Sequence, residues 1–158
     1  PPVWSPDARL LLLGSFPGAA SLAAQRYYAH PRNLFWPLVG ELIGVPALAA
    51  APYAERLDAL RAHRIALWDV HAACRRQGSL DSAIEAAEPN DLAGLVARLP
   101  RLAGIAHNGG ESARAMRLTA ALGPRVWRLP STSPANASQR FEHKRAAWQA
   151  AFEACGIR

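Results

Sequence analysis

Cysteine and long apolar runs are both scarce in this sequence, and each scarcity argues against a class of protein. The two cysteines, Cys74 and Cys155, lie far apart, and without CxxC spacing they do not by themselves hold a zinc ion or an iron–sulfur cluster. The longest apolar runs, Leu10–Leu13 and Ala47–Ala51, are much shorter than the roughly 20 residues of a membrane span. We therefore expect two reduced thiols, no metal or other cofactor, and no contact with a membrane.

Common hydrolase signatures are missing as well. The chain has neither an HExxH zinc motif nor a Ser-His-Asp order with a nucleophile elbow. What it has is 158 residues, of which 51% are hydrophobic, enough to build one core and to cover a sheet on both sides. We expect a single domain over residues 1–158.

Lysine is nearly absent, because 17 of the 18 basic residues are arginine. The net charge is +6, and it is unevenly spread. Residues 1–111 carry ten arginines and ten acidic residues, whereas residues 112–158 carry eight basic and two acidic residues. An excess confined to the last third is typical of one side that faces a polyanion such as DNA. A bias in amino-acid composition explains the arginines equally well.

Short apolar runs alternate with segments of helical spacing. The runs predict four strands, of which the first reads as buried: Arg9–Leu13, Ile65–Val70, Leu102–His107 and Arg125–Leu129. The intervening segments predict helices over Asn33–Ile43, Tyr53–Ala62, Asp81–Ala87, Asp91–Leu99, Gly110–Leu122 and Gln139–Ala154. Strands separated by helices imply right-handed crossovers, so the predicted fold is α/β: a three-layer α/β/α sandwich around a four-stranded parallel sheet.

The unusual polar and small residues follow the predicted strands. They are Gly14-Ser15-Phe16, Asp69, Asn108 and Ser131-Thr132. In open α/β sheets, ligands bind at the carboxyl ends of the strands. We therefore expect the functional site at this edge.

The segment from Gly14 to Asn33 combines a tight turn, GSFPG, with two adjacent tyrosines, Tyr27 and Tyr28. Aromatic side chains in a loop suit stacking on a nucleic-acid base, although one of the two is expected to pack in the core. On local grounds, Asn33 is as well explained by capping the following helix as by catalysis.

The ends of the second and third strands carry further candidates. Trp68 shapes a planar pocket or packs in the core, and Asp69 is the first candidate for a general base or else caps or pairs with an arginine. Asn108 reads a base edge with its amide or caps the helix that follows.

The segment LPSTSPANASQR, from Leu129 to Arg140, is rich in hydroxyl groups and ends on a cation. Such a loop suits phosphate contacts, so we expect Ser131, Thr132, Ser133 and Arg140 to bind DNA. Read in isolation, the segment is an ordinary connector.

Taken together and in this order, GSFPG, SL, QRYYAHPRNLFW, LWDV, NG and LPSTSPAN resemble the uracil-DNA glycosylase superfamily and, within it, the hypoxanthine-DNA (deoxyinosine) glycosylases. The resemblance runs from Leu10 to about Trp148. It implies an α/β/α sandwich, base release without a metal, and a site built from two loops, Gly14–Asn33 and Pro130–Asn136.

The resemblance also implies roles for single residues. Better-known relatives position the attacking water with an Asp or Asn where this chain has Phe16, so the catalytic role passes to Asn33. Tyr28 takes the place of the aromatic residue that stacks on the flipped base. The Asn that reads uracil is replaced by Trp68, and the His that opens the second loop is replaced by Leu129. These departures favour a purine over uracil.

The expected function is hydrolysis of hypoxanthine from deoxyinosine in DNA, by a monomer located in the cytoplasm on the nucleoid. Asn33 and Asp69 are the catalytic candidates. The base pocket is predicted from Gly14, Ser15, Phe16, Tyr28, Trp68 and Asn108. Two alternatives stay open: a glycosylase for uracil or a broad range of deaminated bases, and a non-catalytic nucleic-acid-binding domain on the same scaffold.

Overall fold

Six strands lie in the part of the chain that the computed structural model describes, residues 1–16, 19–75, 85–134 and 140–157. They are β1 (Leu10–Gly14), β2 (Ile65–Asp69), β3 (His71–Arg75), β4 (Glu85–Pro89), β5 (Gly104–Asn108) and β6 (Arg125–Leu129). Four of them form a parallel sheet in the order β2-β1-β5-β6. The predicted fold class and the four predicted strands are confirmed.

The helices cover the faces of this sheet. They are α1 (Ala19–Ala24), α2 (Phe35–Leu42), α3 (Tyr53–Ala62), α4 (Leu92–Ala97), α5 (Gly110–Ala113), α6 (Met116–Ala120) and α7 (Phe141–Ala154), with a 3-10 turn at Leu48–Ala50. Asp91 caps α4, because its carboxylate accepts a hydrogen bond from the Gly94 N–H at 3.0 Å.

Two helix predictions were wrong in part. The described end of the predicted helix Asp81–Ala87 belongs to β4, which pairs antiparallel with β3. Helix propensity amounts to only about 0.5 kcal/mol per residue, and pairing in a sheet readily overrides it. The predicted helix Gly110–Leu122 is broken between α5 and α6. The Thr119 hydroxyl lies 3.4 Å from the carbonyl oxygen of Ala115 at this break, and such side-chain bonds to the backbone bend helices.

Alternate residues of each strand point to opposite faces of the sheet, and each face has its own core. Leu10, Leu12 and Leu67 pack with α2 and α7, in a cluster that includes Phe35 and Trp148. Leu11 and Leu13 pack with α4 on the other face. The strand residues are fully buried in β1, as expected for a parallel sheet covered on both sides. No helix in the described ranges is both long enough and apolar enough to span a membrane.

Candidate active site

Three neighbouring strands end in residues that face the same side of the sheet. Gly14 closes β1 and pairs in register with Asp69 at the end of β2. On the other side of β1, Leu13 pairs with His107 of β5, so that Asn108 follows beside Gly14. All three positions continue the face that carries Leu12 and Leu67, because side chains alternate along a strand. The sheet therefore brings Asp69 and Asn108 to either side of a glycine.

Gly14 is needed there for space. A Cβ atom at this position would lie 2.5 Å from Oδ1 of Asp69 and 3.0 Å from the hydroxyl oxygen of Tyr28. The absence of a side chain at Gly14 thus allows a carboxylate and a phenol to approach the end of β1 together. Asp69 itself is only 8% exposed, so its charge acts close to protein groups. That charge, together with burial, raises the pKa of Tyr27 above its ordinary value, burial being the larger cause.

Tyr28 is held in an uncommon backbone conformation. Its φ is 54°, in the left-handed region that large side chains rarely adopt. One face of its ring stacks on Phe35, with centroids 4.0 Å apart and planes 12° from parallel. Its hydroxyl oxygen accepts a hydrogen bond from Nδ2 of Asn108 at 3.3 Å. The ring is half-buried. Phe35 supports one of its faces, and its hydroxyl group lies at the end of β5.

Asn108 neither caps a helix nor presents its amide to solvent. The N-cap residue of α5 is Gly109, and no side chain caps that end. The Oδ1 atom of Asn108 accepts from the backbone N–H of Thr132 at 3.0 Å, and its Nδ2 donates to Oγ1 of Thr132 at 3.0 Å as well as to Tyr28. Both of its donor hydrogens and one lone pair of its amide oxygen are thereby engaged within the protein. The sequence suggested that Asn108 reads a base edge or caps a helix, and neither interpretation includes its bonds to Thr132 and Tyr28.

Thr132 joins the two loops. Its side chain is fully buried, and its carbonyl oxygen accepts a hydrogen bond from the N–H of Leu34 at 3.0 Å. The loop after β6 is thus bonded both to Asn108 and to the residues that precede α2. Burial leaves the Thr132 side chain no surface to offer a phosphate, so the predicted DNA contact from this side chain is wrong. In a run of Ser and Thr residues, the sequence does not distinguish a hydroxyl that is buried in bonds between two loops from one that is exposed to DNA.

The described neighbours of Thr132 in the second loop remain accessible, as does Arg140 beyond it. Ser131 and Ser133 are half-buried, and Arg140, just before α7, is exposed. The Ser131 hydroxyl accepts from the N–H of Ser133 at 3.1 Å, which forms a local turn. The intervening residues, 135–139, and with them Asn136, lie outside the described residues.

Asn33 begins α2. Its Oδ1 accepts a hydrogen bond from the N–H of Phe35 at 2.9 Å, so the side chain satisfies a backbone group at the first helical residue. The N-cap position itself is occupied by Leu34, which makes no side-chain cap bond, so Asn33 supports the start of the helix from one residue earlier than the capping interpretation expected. Because an amide oxygen carries two lone pairs, the bond to Phe35 does not exhaust its capacity as an acceptor. Asn33 is half-buried and adjoins Leu34, which is bonded to Thr132.

Two strand-end side chains lie on the opposite face. Trp68 packs with Leu13 and Ala66 against the second core, so the structure does not bring it together with Asp69 and Asn108. His107 is fully buried and lies between two hydroxyls, 2.8 Å from Oγ of Ser112 and 2.9 Å from Oγ1 of Thr119. Burial lowers the pKa of His107 to about 4.

The first loop continues from the end of β1. Ser15 is buried, and its carbonyl oxygen accepts from the N–H of His71 at 3.0 Å. Phe16 is half-buried, and the following Pro17 and Gly18 lie outside the described residues. Nδ1 of His71 is buried without a hydrogen-bond partner within the ranges that the structure describes. Across those ranges, no three His, Cys, Asp or Glu side chains form a group that suits a metal ion.

Comparison with known proteins places this arrangement in a family. A family model for the uracil DNA glycosylase superfamily matches residues 1–152, so the chain belongs to that superfamily. A hypoxanthine DNA glycosylase of Methanosarcina acetivorans is 40% identical over 96% of this chain and 95% of its own length. A second one, from Methanosarcina barkeri, is 36% identical over 97% and 96%.

A solved structure shows the same fold. It is a solution NMR structure of a Methanosarcina acetivorans protein put forward as a uracil DNA glycosylase. The two chains share 37% of their residues, the match covers 99% of this chain and 96% of the other, and the TM-score is 0.87. The resemblance inferred from the loop motifs is confirmed at the level of the family.

Proposed function

We propose that this protein is a DNA glycosylase that hydrolyses the bond between hypoxanthine and deoxyribose. The observation that carries the proposal is the meeting of the Asp69 carboxylate and the Tyr28 ring at Gly14, on the carboxyl edge of the sheet. Two relatives that match nearly the whole chain are hypoxanthine DNA glycosylases. These relatives suggest the substrate class, and the geometry of the site suggests which residues act on it.

The target base leaves the double helix before it reacts. Extrusion requires a few kcal/mol, and less when the base is mispaired. Tyr28 offers a ring on which the extruded base stacks, which extends the pair that Tyr28 already forms with Phe35. Stacking of a base on an aromatic side chain contributes about 1–3 kcal/mol.

Asp69 and Asn33 divide the catalytic work. Positive charge develops on the sugar as the bond to the base breaks, and a buried carboxylate stabilises such charge more strongly than an exposed one does. Asp69 supplies the negative charge that stabilises the sugar cation. The second lone pair of the Asn33 amide oxygen orients the water that attacks C1′. An amide is a weak base, but a cationic sugar needs only a positioned water.

Two features of the site favour a purine over uracil as the substrate. Trp68 packs against the second core on the other face of the sheet, so its side chain takes no part in reading the base. The Asn108 amide is bonded to Thr132 and Tyr28, so it does not offer a donor and an acceptor to a base edge. Recognition of the base therefore passes to the first loop, around Ser15 and Phe16.

DNA contacts come from the second loop and its surroundings. We propose that Ser131, Ser133 and Arg140 bind the phosphate backbone, which fixes the position of the enzyme without reading sequence. Lys144, although part of the basic last third, is buried and belongs to the interior. We propose that one copy acts alone on DNA, in the cytoplasm of the cell.

The proposal is tested by base release from matched oligonucleotides that carry inosine or uracil at one position, as single strands and as duplexes. We expect hypoxanthine to be released faster than uracil. Release of uracil alone overturns the substrate. Salt-sensitive DNA binding without release of either base overturns the enzyme and supports a binding domain.

A further inference from the structure

Tyr28 depends on a set of side chains that bind its neighbours in the chain. We infer that Ser21 and Trp36 are positioning residues, which hold the Tyr28 ring in place for the flipped base by fixing the peptide groups on either side of it. The inference rests on the proposed function, because it concerns the aromatic residue on which the base stacks.

The two bonds flank the residue directly. Nε1 of Trp36 donates to the carbonyl oxygen of Tyr27 at 3.1 Å, and that carbonyl belongs to the peptide group before Tyr28. Oγ of Ser21 accepts from the N–H of Ala29 at 3.0 Å, which belongs to the peptide group after it. The φ and ψ of Tyr28 are the rotations between these two groups. Fixing both groups therefore fixes the backbone of Tyr28.

A third bond strengthens the same segment. The hydroxyl oxygen of Tyr53 accepts from the N–H of Tyr27 at 2.9 Å. The ring of Tyr53 packs edge-on against Trp36 at 6.2 Å between centroids. The guanidinium of Arg56 lies 5.4 Å from the Trp36 ring centre and 5.6 Å from that of Tyr53. The groups that hold Tyr27 are thus themselves packed together.

This support opposes a strained conformation. The φ of 54° at Tyr28 is unfavourable for a residue with a Cβ, and it persists only where the surroundings impose it. Such outliers cluster at ligand-binding positions. Without the bonds to Ser21 and Trp36, we expect the backbone to relax and the ring to leave both Phe35 and the end of β1.

Ser21 is the better of the two to vary, because it is small and its substitution removes a single hydroxyl. It is 8% exposed and lies in α1. Ser112, fully buried on the opposite face, provides a matched control: its Oγ donates to the carbonyl oxygen of Leu13 at 2.8 Å. Ser21→Ala and Ser112→Ala each remove one buried hydrogen-bonding hydroxyl, but only the first acts on Tyr28.

The experiment measures the single-turnover rate of hypoxanthine release and the affinity for inosine DNA. We expect Ser21→Ala to lower the rate about tenfold with little change in affinity, and Ser21→Thr, which keeps the hydroxyl, to restore it. Ser112→Ala should keep the wild-type rate. In a Tyr28→Gly background, where no ring remains and glycine adopts this φ without strain, Ser21→Ala should have no further effect.

Two results overturn the inference and leave the proposed function standing. One is an unchanged rate of hypoxanthine release in Ser21→Ala, and the other is a loss of rate from Ser21→Ala that is as large in the Tyr28→Gly background as in the wild type. The second result shows a general structural role. If the wild-type protein releases no hypoxanthine from inosine DNA, the proposed function fails, and the inference fails with it.

Discussion

His107 and Asn108 are consecutive residues at the end of β5, and they belong to different parts of the molecule. His107 turns to the face of α5 and α6, where Ser112 and Thr119 bind both of its ring nitrogens. Asn108 turns to the face of α2 and α7, where it binds Thr132 and Tyr28. Both are buried and hydrogen-bonded. His107 bonds to residues of the helices that follow β5, α5 and α6, whereas Asn108 joins two loops.

We expect this difference to separate stability from function. The His107 face holds apolar packing and satisfied hydroxyls around a neutral imidazole, and no charged side chain is among its buried residues in the described ranges. The Asn108 face brings a carboxylate, a strained tyrosine and both loops to one point. Substitutions on the first face should alter the free energy of unfolding, and those on the second should alter the rate of base release.

The largest effect is expected from Asp69→Asn. This change keeps the shape of the side chain and removes its charge, so it should lower the rate of hypoxanthine release by about a hundredfold or more. Single-turnover kinetics on inosine DNA measure this effect. Asp91→Asn is the matched control, because asparagine also caps helices and Asp91 lies at the start of α4. Equal rates for the two variants would contradict the role of Asp69.

The next effect concerns pH and the His107 face. The pKa of His107 is about 4 in the folded protein against 6.5 for an ordinary histidine, so the unfolded chain takes up a proton first as the pH falls. The free energy of unfolding should therefore be unaffected by this group above pH 6.5 and should decrease down to pH 4, by about 3 kcal/mol in all.

Urea unfolding at a series of pH values measures this loss. His107→Gln, whose amide does not titrate, should remove this part of the pH dependence while keeping the rate of base release at neutral pH. The same pH dependence in both proteins would show that another group is responsible.

A smaller effect is expected from Asn108→Ala. It leaves the buried N–H of Thr132 without its acceptor, which should lower the free energy of unfolding by about 1–3 kcal/mol. Unlike His107→Gln, it should also slow base release, because it removes a support of Tyr28. Thr132→Ser, which keeps the hydroxyl, serves as the control and should be nearly as active as wild type. A rate in Asn108→Ala equal to that of wild type would remove Asn108 from the site.

The smallest effect is expected from Arg140→Ala. It should make the dependence of DNA affinity on salt shallower by about one unit of log–log slope, with little change in the rate on bound DNA. Arg117→Ala is the control, since Arg117 is also exposed but belongs to α6 on the other face. Titration with inosine DNA at several salt concentrations separates the two. Equal slopes for both variants would show that Arg140 contacts no phosphate.

The fold was predictable because short, mainly apolar runs alternate with helical segments, most clearly at β1, whereas β6 carries two arginines among its apolar residues. The hairpin of β3 and β4 was not, because the segment around Glu85 carries helix-forming residues and takes its structure from pairing. Within the candidate site, Asp69 was identifiable from residue type and place, and Tyr28 only from the family resemblance. The roles of Gly14, Asn108 and Thr132 were not, because they depend on contacts between residues far apart in the chain. The place of Trp68 on the other face was not predictable either. It follows from the alternation of side chains along β2, which can be applied only once the register of β2 is known.

The most direct test of the account is a crystal structure of Asp69→Asn bound to inosine DNA, with slow base release allowing the intact nucleotide to be captured. We predict the extruded hypoxanthine stacked on the Tyr28 ring, with its C1′ facing residue 69 and Asn33. A base held instead on the face of Trp68 and His107, or a nucleotide that stays in the double helix, would contradict the assignment of the site.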